Sequence, residues 1–392
     1  MPNDLKINQA YTIINELNQQ STGEKTIAPV DLTEFVAVAD KMLKTGYDPV
    51  LNAISQTLGR TIFSIRPYTA KFKGLMRSEE QFGNHVRKLQ TLDKDFEKDD
   101  RFDLVDGQAV DMYKVNKPRV IQTNFYGADT YQKSLTYFKD QIDNAFNSPQ
   151  DLVNFSSMYT QNASDTIEMT HENTARATIA NLIAGTYKAY DVQETKDLRV
   201  IKLVTLYNDE TGQALTADTV KAPENYPNFI KWAYAKIRSI TALMTERTET
   251  FNVMKNGLKR HTPYNRMKLY ISAPEMYSIE TRVFGDLFND EYMKLVDHEE
   301  VNYWQSIDAP DGVNVKANYL DPTDGDIKQA DVTVSDIFAV AFDEEAAGMT
   351  TVNKWTGATP FNVRGGYTNF FWHFTERYWN DFSENVCLFL LQ

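Results

Sequence analysis

Residues 364–392 read RGGYTNFFWHFTERYWNDFSENVCLFLLQ. Eight of the sixteen residues from 367 to 382 are aromatic, and an unbroken apolar run follows at 386–391. Aromatic side chains bury large areas and dominate the energetics of cores and interfaces. A chain terminus frays unless something ties it down. This stretch is therefore expected to be built into a sheet or against a partner.

Working outward, the 392-residue chain is long enough for two or three domain-sized units. Its hydrophobic content of 42% and charged content of 24% belong to a folded protein, and 21 Tyr and 22 Phe suit interfaces as well as cores. The net charge of −13 argues against a nucleic-acid-gripping surface, which needs cations to neutralise phosphates. The single cysteine, Cys387, sits inside the last apolar run and reads as a small buried hydrophobe. One cysteine permits no internal disulfide and fits a reducing compartment. The first twenty residues have no signal-type apolar core, and no stretch reaches membrane-spanning length.

Residues 6–18 present Ile7, Tyr11, Ile14 and Leu17 at helical spacing. A second helix is expected at 31–44, with Asp31 and Glu34 spaced as a capping box. The segment 61–65 reads as a strand. A charged excursion follows, including DKDFEKDDRFDLVD at 93–106, which reads as a solvated loop, and long loops of this kind are usually functional or mobile. Residues 149–187 contain no glycine before Gly185 and no proline after Pro149. They predict one helix, roughly 50 Å long, whose thin apolar stripe suggests that it either crosses a surface or bridges neighbours and is not a core element.

Further along, strands are expected at 198–207, 268–272, 301–307 and 337–342. Helices are expected at 228–254 and from Pro274 through Phe284. NYLDPTDGDIK at 318–328 reads as a turn region.

Sequence motifs for chemistry are lacking. There is no GxGxxG, P-loop, HExxH or GxSxG pattern. His85, His171, His261, His298 and His373 are far apart, and none has metal-type spacing. His298 beside Glu299 and Glu300 reads as a solvated helix end. Asp321, Asp324 and Asp326 lack the Gly and closing Glu of a calcium loop and read as a turn. Neither a catalytic residue nor a cofactor or metal site is assigned, so the chain is not read as an enzyme.

The element order is an N-terminal arm, a charged excursion, a long polar helix and a mixed α/β region. It resembles the major capsid proteins of tailed bacteriophages, with their Hong Kong 97-type α+β fold. Within that group the terminal stretch is similar to podoviruses of the phi-29 type. The residues that carry the likeness are Arg364 and Gly365, the aromatic run from Tyr367 through Phe371 and Trp372, then His373, Phe382, Asn385, Val386 and Phe389. A second likeness lies in TLGRTIFSIRPYTAKFKGL at 57–75.

The resemblance implies an N-terminal arm at 1–58, an extended loop at 59–130 and a peripheral domain with a spine helix at 131–222. It further implies an axial domain at 223–363, and C-terminal strands at 364–392 that return to the peripheral domain as a closing pair beneath the spine. It implies a head protein that self-assembles, as hexamers and pentamers, into an icosahedral or prolate shell around double-stranded DNA. The implied partners are a scaffolding protein, a portal and DNA bound without specificity, with no membrane. The implied location is the virion capsid, assembled in the host cytoplasm. Two alternatives are an encapsulin-type nanocompartment shell and a carbohydrate-active enzyme.

Overall fold

The computed structural model describes residues 72–76, 86–91, 103–109, 112, 113, 115, 117, 120–125, 128–139, 149–193, 197–254, 258–281 and 298–392. The helices expected at 6–18 and 31–44, the strand at 61–65 and the end of the helix expected to run to Phe284 lie outside these residues.

A helix of 44 residues, α1 (Pro149–Val192), runs through the molecule. At 1.5 Å per residue it is about 66 Å long. The expectation of a surface-crossing helix fails for its second half, where Ala175, Ile179, Ala180, Leu182, Ile183, Ala184 and Ala189 are buried in a core cluster. The misleading feature was the helix's threonine content. Thr166, Thr170 and Thr178 donate their hydroxyls to carbonyls four residues back, those of Asn162, Thr166 and Thr174, at 2.7–2.9 Å. A threonine satisfied in this way can be buried without an orphaned polar group.

Five strands form the central sheet, in the order β4 (Val200–Lys202), β12 (Val386–Leu390), β9 (Ile337–Asp343), β5 (Met267–Ser272) and β6 (His298–Val301). β12 runs parallel to β4 and antiparallel to β9. Both faces of this sheet are covered. Val386, Leu388 and Leu390 join the cluster containing α1, whereas Cys387, Phe389 and Leu391 join a second cluster built on helices. Those helices are α2 (Leu203–Thr211), α4 (Tyr226–Leu243) and α5 (Ala273–Ile279), with the single turn α3 (Ala217–Val220) between the first two. Burial on both sides explains why β9 and β12 are continuous apolar runs and not alternating ones.

Several expectations require correction. The strand expected at 198–207 is only the three residues of β4, and α2 begins at once. A short apolar run fits a buried strand or a helix equally well. Here Leu203, Val204 and Tyr207 share one helical face, and Tyr207 packs edge-on against Phe229 at 5.4 Å. The helix expected to reach 254 ends at Leu243. The strand expected at 301–307 lies earlier, as β6, so His298, Glu299 and Glu300 occupy a sheet edge and not a helix end.

The turn at 318–328 is the tip of a hairpin, β7 (Val313–Leu320) with β8 (Ile327–Val334), that the sequence reading did not foresee. At the tip, Lys328 Nζ bonds Asp321 at 2.7 Å and Asp324 at 2.6 Å, so these carboxylates serve the turn.

A second sheet has the order β10 (Ala347–Ala358), β11 (Tyr367–Asn380), β3 (Asp129–Phe138). A two-stranded ribbon joins β1 (Val86–Thr91) to β2 (Val120–Phe125). The terminal stretch is therefore not a closing strand pair: β11 and β12 lie in different sheets, and a tight turn at 381–385 carries the chain from one to the other.

Candidate functional site

The strict alternation of β11 gives its sheet two chemically distinct faces. Thr368, Phe370, Trp372, Phe374 and Glu376 point inward and are buried, while Tyr367, Asn369, Phe371, His373 and Thr375 are half-exposed on the other side. On the inner face Phe370 meets Tyr137 edge-on at 4.8 Å, and Phe374 stacks on Tyr131 at 5.2 Å. Such pairs add about 0.5–1.5 kcal/mol each beyond their area. Tyr131 Oη reaches Thr174 on α1 at 3.5 Å. His171 Nδ1 of α1 lies directly against the Glu376 carboxyl group, joining the helix to this face, and the Glu376 side chain is 0% exposed.

On the outer face, cross-strand register places Trp355 opposite His373 and Phe138 opposite Tyr367. The Trp355 and His373 rings stack at 3.8 Å, with Phe371 at 6.3 Å from His373. Trp355 remains 52% exposed and Phe138 46%. An aromatic row open to the outside on a sheet whose other face is already covered is the chemistry of a protein–protein contact.

The turn at 381–385 is held by polar contacts. Asp381 Oδ1 accepts from the Ser383 N–H at 2.9 Å and from its hydroxyl at 2.6 Å. Asn385 donates to Thr262 Oγ1 at 3.2 Å, and its carbonyl accepts from Asp343 N at 3.0 Å. Cations and carboxylates cluster here. Lys88 from β1 contacts Asp381, Glu384 and Glu345. Arg260 contacts Glu384, and Arg266 contacts Asp343, Glu344 and Glu345.

Burial pushes the Glu345 carboxyl up, but hydrogen bonds and charge from Lys88 and Arg266 outweigh it and hold the group down at about 2. Glu384 moves the other way: burial raises it against the pull of Lys88 and Arg260. The Cys387 thiol is raised well above its ordinary value by burial and then by Asp197, which suits a buried spacer and not a nucleophile. Tyr378 is raised to about 12, first by its hydrogen bond to Asp129 at 2.7 Å.

The eight residues singled out from the sequence do not converge on one point. Tyr367, Phe371 and His373 lie together on the outer face, and Trp372 on the inner one. Phe382 and Val386 fill the α1 core, Phe389 the helix-side core, and Asn385 braces the turn between them.

Sequence reading missed Trp355, Glu376, His171 and Lys88. Trp355 joins the row only through β10, a strand whose Thr, Gly and Asn give little apolar signal. β3 did carry a signal: Tyr131, Leu135 and Tyr137 alternate with polar residues at period two. Among the described residues, no group of three or more His, Cys, Asp and Glu is arranged to hold a metal ion, and no helix is long and apolar enough to cross a membrane.

Comparison with known proteins places this geometry. The profile of the Phi29-like phage major capsid protein family matches residues 11–390. No curated protein matches the chain. Among solved structures, the fold is similar to that in the capsid structure of Staphylococcus phage Andhra, with 11% identity, a TM-score of 0.50, and coverage of 84% of this chain and 86% of that one. It is also similar to a chain in the structure of the head fiber and inner core protein gp22 of native bacteriophage P68, with 12% identity, a TM-score of 0.54, and coverage of 84% and 86%.

Proposed function

The chain belongs to the Phi29-like phage major capsid protein family, and from that premise we propose how its parts are used in a shell. Membership makes it a structural component of the virion, a major capsid protein forming the head of a tailed double-stranded DNA phage, and not an enzyme. The nanocompartment and carbohydrate-active alternatives fall with that result. Self-assembly follows from the role.

The domain assignment rests on element order. Residues 1–58 act as an arm lying across a neighbour, and 59–130 as a loop overlapping the next subunit. The segment 131–222, with α1 as spine, forms the peripheral domain. The segment 223–363 forms the axial domain meeting its copies as hexamers and pentamers. Residues 364–392 return to the peripheral domain, a reading supported by the pairing of β11 with β3, at the start of that domain's segment, and of β12 with β4, inside it.

The observation that carries a subunit contact is the outer aromatic row of Trp355, His373, Phe371, Tyr367 and Phe138. A lone subunit leaves it half open, and a neighbour would complete its burial. A scaffolding protein and a portal remain further partners of this reading. The net charge of −13 suits a wall along which packaged DNA slides without sticking.

Limited proteolysis of the free subunit tests the assignment. Cuts are expected first within 1–30 and 75–125, and protection of both regions in the free subunit would overturn it.

A further inference from the structure

Among the described residues, the β1–β2 ribbon is a sheet of two strands, paired with each other. Two-stranded ribbons are marginal by themselves, so its bearing relative to the body depends on what side chains fasten it. Leu89 faces outward and is 58% exposed. The opposite face carries Lys88 and Gln90. The Lys88 ammonium, 18% exposed, reaches Asp381 Oδ2 at 2.8 Å, Glu345 Oε2 at 3.0 Å and Glu384 Oε1. Gln90 Nε2 donates to Ser383 Oγ at 3.3 Å. At the ribbon's other strand, Phe125 meets Trp379 with ring centroids 6.5 Å apart.

The receiving side is built independently of the ribbon. Asp381 is held by both donors of Ser383, and the Glu345 N–H donates to Asp343 Oδ1 at 2.9 Å. Two tight turns, one after β9 and one after β11, thus present Asp343, Glu345, Asp381 and Glu384 together, and Arg260 and Arg266 of the body contact three of them. Among the described residues, the nearly buried Asp381 carboxylate takes its ion pair from Lys88. A partly buried carboxylate left without a partner is costly, and charge-assisted hydrogen bonds to one ammonium are the strong kind.

We propose that Lys88 is a latch: its single ammonium, seated in the preformed anionic socket of the two turns, fixes the angle at which the ribbon leaves the subunit and so aims the loop at its neighbour. The aiming rests on the reading of 59–130 as an intersubunit loop; the latch itself does not.

The test uses the full chain carrying spin labels at Leu89→Cys and Tyr277→Cys, both exposed positions, with the native Cys387 buried and unreactive. Pulsed electron–electron distances are expected to be narrow with Lys88 present and to broaden at least twofold in Lys88→Met, while circular dichroism stays unchanged. Lys88→Arg, which keeps the charge, restores the narrow distribution. Glu384→Gln, made from the socket side, gives an intermediate width and covers the case in which Lys88→Met does not fold. A distribution that stays narrow in Lys88→Met, or in Glu384→Gln in that case, overturns the latch. Assembly of the same variants is followed by light scattering, and a severalfold slower rise is expected for Lys88→Met. A broadened distribution with unchanged assembly leaves the latch standing and overturns the intersubunit reading of the loop.

Discussion

Gly185→Ala sets two effects of opposite sign against each other at one atom. In an exposed helix interior, glycine costs about 1 kcal/mol relative to alanine, so the substitution taken alone would stabilise. Gly185 is instead buried in the second half of α1. A Cβ there would sit 2.5 Å from Phe382 Cζ and 2.6 Å from the backbone oxygen of Asn318. Ordinary contact begins near 3.4 Å, so roughly 0.8–0.9 Å must be made up by movement. The phenyl ring can give a little, but the Asn318 carbonyl cannot move alone, because β7 is paired along its length with β8. Forcing a methyl group into such a site costs about 1–3 kcal/mol, and more when backbone must shift.

The overpacking cost less the propensity gain leaves an expected net destabilisation of about 0–2 kcal/mol, with the upper end favoured because backbone must shift. Urea unfolding of the free subunit reads it as a lower midpoint with an unchanged slope. Phe382→Leu in the same background removes the ring contacts and leaves the carbonyl, so its coupling with Gly185→Ala should recover only part of the loss. A midpoint raised by the amount helix propensity predicts would refute the close seating of α1 on β7 and Phe382.

Other outcomes follow from the same geometry. His171→Leu removes the side chain facing the fully buried Glu376 carboxyl group and should cost about 1–3 kcal/mol in urea unfolding; adding Glu376→Met, which removes the polar group left unpaired, should restore most of it. Glu345 has a folded value of about 2, below its ordinary 4.5, so its contribution is present above that ordinary value and fades as pH falls toward 2. Because its side chain is 43% exposed, the contribution is about 1 kcal/mol after screening, and Glu345→Gln should flatten the acid limb of the stability curve by that much. Mobility-shift assays at physiological salt should show no retardation of duplex DNA, and tight binding would count against the lining role.

Much of the architecture was legible because some segments admit one reading. The run DIFAVAFD could only be buried, and the glycine-poor stretch ahead of Gly185 could only be a long helix. The aromatic terminus announced a packed strand. What failed to show was set by partners distant in sequence. The run at 198–207 became mostly helix because Tyr207 found Phe229 and Trp232 on α4. The hairpin β7–β8 and strand β10 are polar on one side, so each looked like a loop until paired. The outer aromatic row exists only through register, since Trp355 meets His373 across β10 and β11. The Lys88 socket joins residues 293 and 296 positions apart, which no local pattern foretells. The eight terminal residues matched the family's pattern as a string, yet folding distributes them over two faces of one sheet, a turn and two cores.

Negative-stain electron microscopy of the expressed full chain, alone and with a co-expressed scaffolding protein, tests the central claim most directly. Shells, sheets or tubes are predicted. Small discrete particles under every condition would contradict the assignment of this chain as a shell-forming capsid protein.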